Sequence, residues 1–315
     1  MRSKQSLIVV TGATGWVGRN VLEALQKEIP HHIFNSNVVA LASKEQIISS
    51  TGYKQKNKID IKVDNLKTFH ELCKSTHNIY LIHTAFWTRN YLSSTTIDNF
   101  IETNKSITSI ICEGLSYCQN QKVIEVSSGA ASAFDDSYNK SIEKNAIKND
   151  PYGYLKKKEE VEISKFSNSL ILRIYALSGK YIRNPSIYAL SSFLLKAIKG
   201  RPFSIDSTRP VYRSYAHANN IAELACKLLL SNEMPTKKII NTVSHTTDLI
   251  SLAKIITDEF ELPEAMHKID LKKKPDDYTS SEKEFLSLLK IHNIKVKSLK
   301  EQVLDTANYL KSNRV

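Results

Sequence analysis

A glycine-rich turn near the amino terminus constrains the fold more than any other feature of the sequence. The apolar run Leu7–Val10 leads into Thr11-Gly12-Ala13-Thr14-Gly15-Trp16-Val17-Gly18, and residues 16–28 then have the composition of a helix. Glycines in such a unit allow a tight turn, a close approach to a phosphate and close packing of helix on strand. We therefore predict that the turn and the helix start bind a dinucleotide pyrophosphate. The spacing is G-x-x-G-x-x-G rather than G-x-G-x-x-G, so a purely structural turn is the alternative.

Strand-like runs alternate with helical stretches through the first 178 residues. Strands are predicted at 7–11, 38–41, 59–63, 79–82, 123–126 and 170–172, and helices at 16–28, 66–74 and 100–118. This order is typical of a doubly wound parallel sheet. We predict an α/β fold of the Rossmann type, with residues 1–178 as the dinucleotide-binding domain and a return of the chain to it around 217–243.

The pattern changes after residue 178, where prolines become frequent. Helical stretches follow at 187–199, 220–230, 249–260, 282–291 and 299–310. Residues 179–315 are therefore predicted to form a smaller, mostly helical lobe that binds the substrate.

Charge and cysteine usage narrow the functional classes. The net charge of +12 indicates a lysine-rich solvated surface or attraction of an anionic substrate such as a nucleotide diphosphate. The lysines are scattered and no basic motif is interleaved with aromatics, which argues against nucleic-acid binding. No apolar run approaches the roughly 20 residues of a membrane span. The four cysteines show no CxxC or metal-binding spacing and the sequence shows no signal peptide, so a cytoplasmic protein without a metal is expected.

The segment 150–160 contains two Y-x-x-x-K pairs, Tyr152 with Lys156 and Tyr154 with Lys158. Residues four apart lie on one face of a helix, and Asp150 followed by proline predicts that a helix begins here. An ammonium next to a phenol stabilises the phenolate, as a carbonyl reductase requires. An ordinary helix with a lysine-rich exposed face is the alternative.

Taken together, these segments resemble the extended short-chain dehydrogenase/reductases, the NAD-dependent epimerase/dehydratase family of nucleotide-sugar enzymes. The resemblance covers about residues 6–230. It implies a nicotinamide dinucleotide and a set of cofactor-binding positions. Those positions are Gly12, Thr14, Gly15, Trp16, Val17, Gly18, Asp64, Thr84, Ala85 and Asn104.

The end of the second strand bears on which dinucleotide is bound. Enzymes that use NAD usually carry an acidic residue there for the ribose 2′-hydroxyl. This chain has Ala42-Ser43-Lys44, with no acid before Glu45. A serine beside a lysine suits a 2′-phosphate, so NADP(H) is favoured and NAD(H) stays open. A solvated Lys44 without a binding role is the alternative.

The resemblance also chooses between the two tyrosine–lysine pairs. The family has glycine directly after the catalytic tyrosine and glutamate four residues after the lysine, which matches Gly153 and Glu160. The resemblance therefore implies Tyr152 and Lys156 as catalytic residues, with the lysine also holding the nicotinamide ribose. It further implies that Ser128 binds the substrate oxygen, and that its neighbour Ser127 contacts the cofactor.

Residues on the substrate side limit the reaction. Sugar 4,6-dehydratases have Asp-Glu directly after the catalytic residue, where this chain has Gly129 and Ala130, and the cysteine of 3,5-epimerase/reductases is missing too. Arg213, in 211–220, resembles the arginine that holds the nucleotide pyrophosphate. Arg89 lies in a loop that faces either the sugar or solvent. Ala176 replaces a common substrate-contacting asparagine, which leaves the sugar open.

The sequence therefore predicts a reductase of the keto group, at C4, of a nucleotide-activated deoxy sugar. Residues 212–215 and 83–86 resemble CDP-abequose synthase-like 4-keto-sugar reductases of O-antigen biosynthesis. A nucleotide-sugar 4-epimerase with tightly bound NAD is the first alternative, and a cofactor-binding regulator without turnover is another. The resemblance implies a homodimer formed through helices at 100–118 and 152–166.

Overall fold

A computed structural model describes residues 6–51, 58–76, 78–138 and 143–313. The chain divides into two compact units. The first unit comprises Met1–Arg173 with Ala225–Ile240, and the second comprises Ile174–Leu224 with Asn241–Val315.

Fourteen strands are found in the described part of the chain. They are β1 (Leu7–Thr11), β2 (Val38–Ala42), β3 (Gln46–Thr51), β4 (Lys58–Asn65), β5 (Asn78–His83), β6 (Asn120–Ser128), β7 (Ser169–Ile174), β8 (Ala176–Ser178), β9 (Ser204–Ile205), β10 (Val211–His217), β11 (Ile239–Thr242), β12 (His245–Asp248), β13 (Met266–His267) and β14 (Asp276–Tyr278).

The same described ranges contain eleven α-helices. They are α1 (Trp16–Glu28), α2 (His31–Asn37), α3 (Phe69–Ser75), α4 (Ile97–Ser116), α5 (Glu143–Asn149), α6 (Pro151–Ile163), α7 (Ala189–Ala197), α8 (Ala218–Leu230), α9 (Leu249–Glu259), α10 (Lys283–Ile291) and α11 (Leu299–Ser312). None of these helices has both the length and the apolar character that a membrane span requires.

The largest sheet has the strand order β11-β7-β6-β5-β1-β2-β4-β3. Strand β1 lies between β2 and β5 and is parallel to both, and β4 and β6 continue the parallel arrangement. Parallel neighbours bring their carboxyl ends to one edge, which is where the glycine turn follows β1. The predicted Rossmann-type α/β fold is thus confirmed. Edge strand β3 was not predicted, and it runs antiparallel to β4.

The second unit contains the predicted helices at 187–199, 249–260, 282–291 and 299–310, together with short strands that the sequence did not indicate, while the predicted helix at 220–230 is divided between the two units. Strand β10 pairs with β8, β12 and β14, while β9 pairs with β13. Two caps define helix ends here: Asp248 accepts the first amides of α9, and Ser298 with Glu301 forms a capping box on α11.

An ionic clamp fixes helix α6 against the large sheet. Arg173 at the end of β7 donates from Nε and Nη2 to the two carboxylate oxygens of Glu160, at 2.8 and 2.6 Å. The same guanidinium donates to both oxygens of Asp135, at 2.7 and 2.6 Å. Ser127 on β6 completes the set by donating to Glu160 at 2.7 Å. Because Arg173 and Glu160 are buried, this pairing determines where α6 lies on the sheet.

Replacing Arg173 by methionine should lower the free energy of unfolding by about 3–5 kcal/mol, because Glu160 would remain buried without its hydrogen-bonded guanidinium, and its other charged partner, Lys157, lies 3.9 Å away. Urea unfolding followed by tryptophan fluorescence measures this, since both tryptophans, Trp16 and Trp87, belong to the first unit. The matched control is Lys165→Met, which removes an exposed partner of Glu162 and should cost less than about 1 kcal/mol. Equal losses in the two variants would contradict the clamp.

Candidate active site

The glycine turn is packed against the segment that follows β5. Gly12 has a φ of 66°, in the left-handed region that favours glycine. A Cβ atom at this position would lie 2.6 Å from the carbonyl carbon of Thr84 and 2.7 Å from the amide nitrogen of Ala85. On the other side, the Ala13 amide donates to the Leu41 carbonyl at the end of β2, at 3.1 Å. Backbone conformation and crowding therefore both require glycine at position 12.

Helix α1 begins at this turn with an uncapped amino end. Its N-cap is Gly15, no side chain caps it, and its first turn contains no acidic residue. Such an end presents N–H groups and a partial positive charge to an anion. Thr14, Trp16 and Val17 around it are partly exposed, while Gly18 is buried where a side chain would overlap the Gly12 carbonyl. The turn therefore fits the pyrophosphate of a dinucleotide.

The ends of β2 and β4 lie side by side. Leu41 and Asp64 are register partners, and Asp64 forms an ion pair with Lys62 at 2.7 Å. Ser43 and Lys44, directly after β2, are both exposed. Lys44 makes no ion pair with any residue in the described ranges. The strand end thus offers a hydroxyl and an ammonium group where NAD enzymes usually have a carboxylate.

The segment after β5 is held by two sets of hydrogen bonds. Thr84 donates from its amide and its hydroxyl to the Thr11 carbonyl, at 3.2 and 2.7 Å. Asn104 on α4 is buried, accepts from the Trp87 amide at 2.8 Å and donates to the Trp87 carbonyl at 3.3 Å. Thr84 and Ala85 therefore lie against the glycine turn, and Asn104 determines the course of the chain beyond them.

Helix α6 begins where the sequence predicted, with Asp150 as its cap and Pro151 in its first turn. The Asp150 carboxylate accepts from the Gly153 amide at 3.1 Å. A Cβ atom at Gly153 would lie 2.8 Å from the Ala130 carbonyl oxygen. Glycine directly after Tyr152 therefore lets the helix start pack on the 3₁₀ turn at Gly129–Phe134, which follows β6.

The two tyrosines of α6 lie in different surroundings. Tyr152 is half-buried, its ring is 5.9 Å from that of Phe86, and its hydroxyl forms no hydrogen bond with any described residue. Tyr154 is only 1% exposed and is enclosed by the rings of Phe134 and Tyr138, at 5.6 and 5.5 Å. Burial raises the pKa of Tyr154 to about 12. Of the two phenols, Tyr152 is the one that a ligand can reach.

The ammonium group of Lys156 is buried beside Tyr152. Its Nζ donates to the Val126 carbonyl at 3.0 Å and to Glu159 Oε2 at 2.6 Å, and it lies 4.1 Å from the centre of the Phe86 ring. Burial lowers the pKa of Lys156, but neighbouring acidic groups, Glu159 first among them, raise it above its usual value. Lys156 therefore carries a positive charge inside the first unit.

Glu159 connects this ammonium group to the strand that precedes the glycine turn. Its Oε1 is 3.0 Å from Nε2 of His83, whose Nδ1 is 2.6 Å from the Thr11 hydroxyl. Thr108 on α4 donates to the same carboxylate at 3.2 Å. Burial raises the pKa of Glu159, but Lys156 and His83 outweigh that effect and bring it to about 2.

The two serines at the end of β6 have different partners. Ser127 donates to Glu160, as described for the clamp. Ser128 caps the following 3₁₀ turn by accepting from the Ala130 amide at 3.2 Å. Both are buried.

The arginines predicted to bind substrate are both paired with acids. Arg89 donates to Asp150 at 2.7 Å, and its guanidinium carbon is 5.4 Å from the centre of the Tyr152 ring. Arg213, on β10 of the second unit, donates to the two carboxylate oxygens of Asp276, at 3.2 and 3.1 Å.

Sequence reasoning missed three residues that surround Lys156. Glu159 and Phe86 contact its side chain, and Glu125 is a buried neighbour that makes no hydrogen bond with it. One local signal was present, because Glu159 stands three residues after Lys156 in a helix and such pairs are neighbours. Contacts to Glu125 and Phe86 depend on which strands are adjacent, and no local pattern gives that.

Comparison with solved structures shows the same fold over nearly the whole chain. The UDP-N-acetylglucosamine 4-epimerase of Methanobrevibacter ruminantium M1, solved with UDP-N-acetylmuramic acid, has a TM-score of 0.71 at 17% identity, with 99% of this chain and 100% of that chain covered. UDP-glucose 4-epimerase from Thermotoga maritima, solved with UDP-glucose, has a TM-score of 0.67 at 16% identity, with 99% and 100% covered.

A third structure was solved with a dinucleotide. UDP-glucuronic acid 4-epimerase from Bacillus cereus, in complex with a fluorinated UDP-sugar and NAD, has a TM-score of 0.66 at 15% identity, with 98% and 100% covered. No curated protein sequence matches the chain.

A family model matches a longer part of the sequence than any single motif. It covers residues 8–242, from β1 through the glycine turn, the tyrosine–lysine helix and the Arg213 segment. The chain therefore belongs to the NAD dependent epimerase/dehydratase family.

Proposed function

We propose that this protein reduces the keto group, at C4, of a nucleotide-activated deoxy sugar with a nicotinamide dinucleotide. The observation that carries the proposal is the start of α6, where an accessible phenol on Tyr152 lies next to the buried, charged Lys156. A positive charge held beside a phenol supports proton transfer to a carbonyl oxygen.

The proposed roles follow from the position of each group. Tyr152 donates the proton to the substrate oxygen, Ser128 orients that oxygen, and Lys156 stabilises the phenolate that remains. A reduced nicotinamide, when bound, would supply the hydride. The glycine turn and α1 would hold its pyrophosphate, and Ser43, Lys44, Asp64, Thr84, Ala85, Asn104 and Ser127 would form the rest of the binding site.

The turn after β6 favours a redox reaction over dehydration. Gly129 and Ala130 are buried and carry no group that can move a proton. Elimination of water requires a general base and a general acid near the sugar. We therefore propose a single redox event at one carbinol carbon.

A nucleotide-sugar 4-epimerase is the second candidate, and one observation favours it. The three structures described above are all named as 4-epimerases of UDP-sugars. An epimerase would retain its dinucleotide and return the hydride to the same carbon.

Two arginines would bind the nucleotide-sugar substrate. Arg213 would bind the nucleotide pyrophosphate and Arg89 the sugar, each exchanging its present carboxylate partner for the ligand. Residues 1–178, with 217–243, would bind the dinucleotide and 179–315 the substrate. We also propose a homodimer through α4 and α6, a role in surface-polysaccharide synthesis of the O-antigen type, and a cytoplasmic location, which suits four cysteines that form no disulfide in the described part of the chain.

Cofactor stoichiometry separates the two candidates. The purified protein is first examined by native mass spectrometry for retained dinucleotide, then incubated with NADPH or NADH and a panel of CDP- and UDP-4-keto-6-deoxy sugars. A reductase oxidises one dinucleotide per sugar. Interconversion of 4-hydroxy epimers without net oxidation would identify an epimerase, and absence of both activities and of dinucleotide binding would refute the proposal.

Tyr152→Phe should lower kcat by at least about a hundredfold and leave dinucleotide affinity near that of the wild type, because only the proton donor is lost. Initial rates and calorimetric titration measure the two quantities. Tyr154→Phe is the matched control and should retain activity, since its ring is enclosed among aromatic side chains. Activity that survives in the first variant and disappears in the second would show that the other pair is catalytic.

Lys44→Asp should shift cofactor preference from NADPH toward NADH by about tenfold to a hundredfold, the loss expected for one charged hydrogen bond to a 2′-phosphate. The ratio of kcat/KM for the two dinucleotides measures the shift. Lys199 is an exposed lysine two residues after α7, and Lys199→Asp makes the same charge change and should leave the ratio unaltered. An unchanged ratio in Lys44→Asp would mean that NADP(H) is not selected there.

A further inference from the structure

A layer of ionisable side chains lies buried behind Tyr152 in the first unit. Six of them are at most 4% exposed: His83 on β5, Glu125 on β6, Lys156, Glu159 and Glu160 on α6, and Arg173 on β7. The half-buried thiol of Cys112 on α4 faces the same layer. Glu160 is neutralised by Arg173 through the clamp. The ammonium of Lys156 is therefore left with two carboxyl groups, Glu159 and Glu125.

Glu159 has the surroundings that an ionised carboxylate beside Lys156 requires. It accepts from Lys156 at 2.6 Å and from the Thr108 hydroxyl at 3.2 Å, and it lies 3.0 Å from His83. A carboxylate removed from water is stable only when hydrogen bonds and an opposite charge replace its hydration. Here both oxygens have such partners.

Glu125 lacks these partners although it lies in the same layer. It is the register partner of His83 between β5 and β6, and it precedes Val126, whose carbonyl binds Lys156. Both carboxyl oxygens are shielded from solvent and accept no hydrogen bond from the described residues. A buried carboxylate without donors is unstable, so these surroundings favour the protonated form, which can donate to Glu159. Burial, followed by repulsion from Glu159, raises the pKa of Glu125 well above its usual value.

We propose that Glu159 is the positioning residue for Lys156, and that Glu125 is a protonated reserve carboxyl that ionises when the charge of Glu159 is removed. The first part rests on the proposed function in one respect, namely that Lys156 serves Tyr152. The second part concerns the buried layer alone and holds whatever reaction is catalysed.

The exchange between the two carboxyls follows from charge balance. Two carboxylates beside one ammonium repel each other, so only one of them is ionised. If Glu159 becomes a neutral amide, that repulsion disappears and the attraction of Lys156 acts on Glu125 alone. The O–H bond of Glu125 then breaks, its proton leaves to solvent, and Lys156 keeps its own proton. Only loss of both carboxyls leaves the ammonium unpaired.

The experiment compares Glu125→Gln, Glu159→Gln and the double variant with the wild type. The matched control is Glu162→Gln, because Glu162 on α6 also pairs with a lysine three residues later, Lys165, which lies just after the helix and is exposed. Each protein is assayed with NADPH and CDP- or UDP-4-keto-6-deoxyglucose over a range of pH. Each is also unfolded thermally over the same range without any ligand.

Activity should depend on the two carboxyls in a non-additive way. Glu125→Gln and Glu162→Gln should each change kcat less than about twofold. Glu159→Gln should lower kcat about fivefold to tenfold, because Glu125 then becomes the ionised partner of Lys156. The double variant should lower kcat about a hundredfold or more. In the double variant the alkaline limit of kcat should move to lower pH, because unpaired Lys156 loses its proton more readily. The KM of the sugar should change much less than kcat, since Lys156 contacts no part of the sugar in this account.

Thermal unfolding tests the protonated state of Glu125 independently of activity. A carboxyl whose pKa is raised in the folded protein stabilises the folded state at pH values below 4.5, the usual pKa of glutamate. This contribution is lost as the pH rises toward the raised pKa. Glu125→Gln, which keeps a neutral group at all pH values, should therefore unfold at a higher temperature than the wild type near pH 8. The difference should shrink as the pH falls toward 5.

Different results would overturn the two parts of the proposal. If Glu125→Gln melts at a lower temperature than the wild type at pH 8, or if the difference in melting temperature does not vary with pH, Glu125 is ionised. Either result would overturn the proposal that Glu125 is a protonated reserve carboxyl. An unchanged kcat and pH profile in Glu159→Gln and in the double variant would overturn the positioning role. If the double variant does not fold, the pH dependence of Glu125→Gln and the kcat of Glu159→Gln decide the outcome. Absence of turnover and of dinucleotide binding in the wild type would refute the proposed function and leave the unfolding test valid.

Discussion

A positive charge inside a protein is tolerated only where other groups replace its hydration, and the ammonium of Lys156 imposes that requirement on the first unit. The chain meets it with the Val126 carbonyl on β6, the Phe86 ring after β5 and the Glu159 carboxylate one helical turn away. These three elements therefore have to meet at one point. Tyr152 stands at the same point because it lies one turn before Lys156 on the same face of α6.

Helix α6 is also held by three contacts that do not involve Lys156. Asp150 caps its first turn, Gly153 allows it to approach the turn after β6, and Glu160 joins it to Arg173 on β7. Through Glu159 and His83, the ammonium group is also connected to Thr11, the residue before the glycine turn. A dinucleotide held by that turn would therefore lie against the same hydrogen-bonded framework that holds Lys156.

Local sequence was sufficient where neighbours in the chain are neighbours in space. The strand–turn–helix unit at the amino terminus and the start of α6 at Asp150–Pro151 could be predicted because backbone conformation and capping act over a few residues. The preference for Tyr152 over Tyr154 came from family resemblance and stays a prediction, while the structure buries the ring of Tyr154 and leaves that of Tyr152 half-buried.

The remaining features depend on which elements are adjacent. His83 meets Thr11 because β5 pairs with β1 in that register, and Arg213 meets Asp276 because β10 pairs with β14. Edge strand β3 was missed because its sequence, Gln46–Thr51, is half polar and gains its structure from pairing with β4. The two-residue strands of the second unit carry too little pattern to be recognised alone.

A crystal structure of the protein grown with NADPH tests the central claim most directly. We expect pyrophosphate density against the amino end of α1, with the nicotinamide ring beside the Tyr152 hydroxyl and the Lys156 ammonium still hydrogen-bonded to Glu159. A glycine turn without bound pyrophosphate at saturating coenzyme, or a nicotinamide ring far from Tyr152, would contradict it.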